Sequence, residues 1–123
     1  MTKVLKEPKT ATAKSTAEKI LAPVPYANGF HFFTSIGVYT GETAISLEHF
    51  TREIQTIPIE SIEFHVERGD FQKWIAGALG DDELAGEIVC IEKNLSGEPL
   101  RKRLFTVLNE RINTLKTQIL GVA

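Results

Sequence analysis

The chain has 123 residues, 42% of them hydrophobic, with 14 basic and 16 acidic side chains. That is the size of one domain, and such a domain buries roughly 65% of the surface of its unfolded chain. No run approaches the ~18 apolar residues of a membrane span. The lysines near the start precede no apolar run, which argues against a secretory signal. The single Cys90 excludes an internal disulfide. These features place the expected protein in the cytoplasm, away from membranes.

The net charge of −2 hides an asymmetry. Residues 1–22 carry Lys3, Lys6, Lys9, Lys14 and Lys19 against Glu7 and Glu18, a net of +3. The rest holds 9 basic and 14 acidic side chains. The first segment is rich in Lys, Thr and Ala, and has few large apolar residues to offset its ordering entropy. Pro23 and Pro25 stiffen the chain just after it. Residues 1–25 therefore read as a basic arm and proline linker, and residues 26–120 as a helical domain.

Asn28-Gly29 and Gly41 bracket a segment rich in β-branched and aromatic residues, so strand content is expected at 29–45. Five of the ten aromatic residues lie between Tyr26 and Tyr39. They read as a lid over a helical core or as a partly exposed patch for a partner, with Phe33 and Tyr39 as candidate contacts. The cluster faintly resembles an aromatic RNA-binding strand, but such modules need a four-stranded sheet, and this chain has too few strand segments.

Ser46 has the chemistry of an N-cap, and Leu47, Phe50, Ile54 and Ile57 succeed it at helical spacing until Pro58. This predicts a helix over 46–57. Residues 59–68 fit two patterns. Ile59, Ile62 and Val66 suit a helix, while Ile62, Phe64 and Val66 alternating with Glu63, His65 and Glu67 suit a strand. Gly69, as a left-handed C-cap, favours the helix. Asp70 then reads as a cap for a helix over 70–79 that buries Phe71, Trp74, Ile75 and Ala78. Gly80 ends it, and Asp81 or Asp82 caps a helix over 82–94 with Leu84, Ile88 and Ile91 inward. Cys90 reads as a small core residue within it. Ser96 and Pro99 introduce the last helix, 98–119, whose stripe is Leu100, Leu104, Val107, Leu108, Ile112, Leu115 and Ile119. The expected fold is mainly α: about five helices, a short N-terminal extended or β segment, and the basic arm.

These landmarks carry a resemblance. Phe30-His31-Phe32, Ser46-Leu47, Glu63-Phe64-His65, Arg68-Gly69-Asp70-Phe71, Trp74-Ile75 and Leu79-Gly80-Asp81 together resemble a family of small prokaryotic domains of unknown function, common in archaea. The resemblance spans residues 29–115 and excludes the arm. It implies an aromatic strand succeeded by helices, and no catalytic residues.

Motifs with chemistry are scarce. Arg68-Gly69-Asp70 spells an adhesion tripeptide, but a C-cap next to an N-cap explains it. His31, His49 and His65 have no zinc-type spacing, so no metal site is expected. Glu60, Glu63 and Glu67 share one face of a helix, a solvated surface or a dock for a basic segment. Arg101, Lys102 and Arg103 lie one turn inside the last helix, where cations oppose the dipole and suit an anionic partner. No phosphate loop, nucleophile elbow or dinucleotide fingerprint is present, so no cofactor or small-molecule substrate is expected. The reading is a non-catalytic accessory or adaptor protein, bound to another protein or to copies of itself. The alternative is a nucleic-acid or ribosome-associated factor using the arm lysines and Arg101, Lys102 and Arg103.

Overall fold

Caps and left-handed glycines divide the chain. The computed structural model describes the backbone of residues 9–121 and the side chains of 13–121. In chain order the elements are α1 (Lys9–Leu21), a 3-10 turn (Tyr26–Asn28), β1 (Phe30–Ser35), β2 (Val38–Ala44), α2 (Leu47–Thr56), α3 (Ile59–Arg68), α4 (Asp70–Trp74), a π-helical turn (Ile75–Leu79), α5 (Asp82–Asn94) and α6 (Gly97–Leu120).

The caps act largely where the sequence puts them. Ser46 is extended, and its hydroxyl accepts from the His49 amide at 3.1 Å. Pro58 separates α2 from α3. The segment 59–68 is helical, and Gly69 closes it in the left-handed region at φ 71°, where a side chain would be strained. Asp81, not Asp82, caps α5, accepting from the Leu84 amide at 3.1 Å. Two assignments change. Asp70 is the first residue of α4 and makes no cap bond; the cap position belongs to Gly69. Ser96 occupies the cap position of α6 with no side-chain bond.

The strands pair antiparallel, Phe30 with Ala44 and Ser35 with Val38, around a tip at Ile36-Gly37. The register shifts on both sides of Phe33. Thr40 stitches one shift by donating its hydroxyl to the Phe32 carbonyl at 2.8 Å. Strand alternation sends Phe30 and Phe32 inward. There they join Phe50, Phe71 and Trp74, and Phe30 lies 4.8–5.8 Å from each of those four rings. Two of the five lid aromatics are thus at the centre of the core, and each buried Phe contributes roughly 2–3 kcal/mol.

α6 is the spine. At 24 residues it runs about 36 Å, and α1, α2, α3 and α5 pack on it. Its predicted stripe is buried from Leu100 to Leu115. Arg111 ties α6 to α5 through the buried Asp81 carboxylate, at 2.8 and 3.1 Å.

Part of the segment assigned to the arm lies within the described residues. Lys9–Leu21 is helical and lies against α6, with Ala17 and Ile20 buried. Two apolar residues three apart give one small face, enough for a helix that docks on a larger one. Lys3 and Lys6 lie outside the described residues. Cys90 is exposed, because it sits about 200° around α5 from the inward Ile88.

Candidate functional site

Phe33 and its neighbours on the hairpin border, together with α3, a cavity of about 370 Å³. Phe30, Phe33, Ile36 and Phe64 give it apolar walls, and His31, His65, Arg68 and Asp70 contribute the polar groups. Tyr26, Ile36, Val38 and Tyr39 are exposed on the same hairpin and its lead-in, Ile36 to 82%. Large apolar side chains gathered on one element beside a concavity are what a binding surface presents.

His65 fastens this site to the body. It is buried, and its Nε2 accepts from the Phe33 amide at 2.9 Å. The proton therefore resides on Nδ1, which donates to Asp70 Oδ2 at 2.8 Å. Burial holds the imidazole below its ordinary pKa, against the opposing pull of Asp70. Both ring nitrogens are engaged within the fold, so His65 positions the hairpin and is no general base. Asp70 Oδ2 also accepts from Arg68 Nε at 3.1 Å. The Arg68 guanidinium lies 5.2 Å from the centre of the Phe64 ring. Arg68 is half-exposed, and its two terminal nitrogens have no partner among the described residues.

A second cavity, about 470 Å³, is lined by Glu60, Glu63, Glu67 and Glu92 with Phe64, Leu95 and Leu100. Burial pushes the Glu92 carboxyl up to about 7, the bond from Gln72 pulling the other way. Its Oε2 is shielded from solvent and lacks a partner.

The sequence candidates scatter. Lys14 and Lys19 are exposed on α1, and Lys9 begins it. Phe33 is half-buried at the first cavity, 5.5 Å from the exposed Tyr39 ring. Lys102 and Arg103 are exposed on α6, Arg103 beside Glu83, Glu87 and Glu110. Arg101 is committed inside the fold. It donates to the carbonyls of Ile54 and Ile57 at 2.8 and 2.7 Å and to Glu98 at 2.7 Å. It satisfies the open end of α2, so most of its donors are already engaged within the fold. His31, His49 and His65 do not converge: among the described residues no three His, Cys, Asp or Glu side chains group as metal ligands. Sequence reasoning missed Ile36, Phe64 and Arg68. Ile36-Gly37 signalled a hairpin tip, but the contact of α3 with β1 that makes the cavity has no local signature. No helix among the described residues is long and apolar enough to cross a membrane.

No curated protein and no solved structure matches the chain. A family does match, over residues 27–120, which covers the hairpin, both cavities and every helix from α2 to α6. The chain belongs to DUF5752, a family of unknown function.

Proposed function

We propose that the chain is a non-catalytic accessory or adaptor protein of the cytoplasm that binds another protein through its hairpin face, as a subunit of a larger assembly. The observation that carries this reading is the exposure of Tyr26, Ile36, Val38 and Tyr39 around the apolar cavity under β1. A monomer gains nothing from holding four large apolar side chains in water, whereas an interface core of aromatic and aliphatic groups supplies most of an interface's affinity.

The test is a native pull-down from the source organism with nuclease treatment, comparing wild type with Ile36→Asp and with the double change Lys102→Glu and Arg103→Glu. Ile36 is at an exposed turn, so the first variant keeps the fold. A nuclease-resistant protein partner lost with Ile36→Asp supports the adaptor. Nuclease-sensitive recovery that depends on Lys102 and Arg103 instead overturns it in favour of nucleic-acid association.

A further inference from the structure

We infer that the cavity between the hairpin and α3 receives the carboxyl terminus of a partner protein whose last side chain is apolar, with the carboxylate on Arg68. The inference rests on the hairpin reading above and names what the partner presents there.

Charge and shape together select such a ligand. The Arg68 guanidinium is oriented, with Phe64 against its face and Asp70 holding Nε. Arg68 lines the cavity and its terminal nitrogens have no partner among the described residues, and a planar pair of N–H groups matches a carboxylate. Asp70 repels an incoming anion, but its charge is already shared between Arg68 and the Nδ1–H of His65. The walls next to this fork are the apolar Phe30, Phe33, Ile36 and Phe64. The ligand must therefore bring a carboxylate and an apolar group on adjacent atoms. An internal Asp or Glu brings no apolar group with its charge. A chain terminus carries both on one α-carbon, a recognised mode of capture. Val38 and Tyr39 continue the apolar surface beyond the cavity, where the preceding residues of a peptide would lie and a small free acid would not reach.

The experiment titrates the full chain with short acetylated peptides ending in leucine or phenylalanine, each as free acid and as carboxamide, and reads amide chemical shifts. N-acetylleucine serves as the small-acid arm. The expected result is that an acid binds at least about tenfold more tightly than its amide, a difference of about 1.4 kcal/mol. Arg68→Gln should erase that difference while the Trp74 fluorescence stays unchanged, and Ile36→Asp should weaken acid and amide alike. Equal binding of acid and amide, lost in Ile36→Asp, overturns the terminus and leaves the hairpin reading standing. Binding insensitive to Ile36→Asp overturns both. N-acetylleucine binding as tightly as the peptides, or no peptide binding at all, also overturns the inference.

Discussion

Replacing Glu92 by glutamine should make the protein more stable above neutral pH and leave it nearly unchanged in acid. Burial raises the folded carboxyl from 4.5 to about 7. Between those values the folded state holds a proton that the unfolded chain has released, so stability falls as pH rises through this window. At about 1.4 kcal/mol per pH unit the full displacement would be worth about 3 kcal/mol. Glu92 is only half-buried at the edge of a cavity, and solvent screening reduces that to about 1–2 kcal/mol. Glutamine keeps the shape of the protonated acid and carries no titration. Urea unfolding at about pH 5, 7 and 8 gives the answer. The His65 contribution is common to both proteins, so the difference between them reads Glu92 alone: the curves should meet near pH 5 and part by about 1–2 kcal/mol at pH 8, wild type the lower. Parallel curves would show that Glu92 is solvated and that the second cavity is open to water.

Other perturbations test the rest of the frame. Trp74→Ala removes a core ring and its bond from Nε1 to the Asn28 carbonyl at 2.8 Å; the cost should be about 3–5 kcal/mol, and a circular dichroism melt within a degree or two of wild type would refute it. Gly69→Ala forces a Cβ into φ 71° with Gln72 Nε2 at 3.1 Å; about 1 kcal/mol should be lost, seen as a melting point roughly 3–5 °C lower. Asp81→Ala leaves the Arg111 guanidinium with only the exposed Glu83 at 3.7 Å and removes a cap, and about 3–5 kcal/mol should go with it in urea unfolding. For His65, nitrogen-15 spectra should show the Nδ1–H tautomer and a pKa below the ordinary 6.5. The stabilisation from the neutral ring is complete above that value and erodes as pH falls below it. The Phe33 amide should titrate with the ring, and a fixed Phe33 resonance would sever the link.

Helix boundaries were legible because their causes are local. Ser46, Pro58, Gly69, Gly80 and Asp81 each act within a turn of their own position. Distances along the chain explain the failures. Phe33 and His65 are 32 residues apart, and Arg101 reaches carbonyls 44 and 47 residues earlier. No window of sequence holds both partners, so Arg101 resembled a free cation and the first cavity had no signature. Arg68-Gly69-Asp70 reads as backbone punctuation, correctly for Gly69, but its two charged side chains help line the site. In the first segment the small face of Ala17 and Ile20 was outweighed by the surrounding lysines and threonines.

The Asp81–Arg111 pair has a consequence for how the chain can change length. The π turn ends where the Asp81 amide donates to the Ile75 carbonyl at 3.1 Å, and the Asp81 side chain is held both by α5 and by α6. One residue inserted between Leu79 and Leu84 would turn α5 by about 100° about its axis, carrying Leu84 and Ile88 out of the core and Asp81 away from Arg111. The hairpin tip at Ile36-Gly37 has no such tether. Insertions and deletions among family members should therefore gather at that tip and in the Leu95-Ser96 link, while the spacing from Trp74 to Leu84 stays constant.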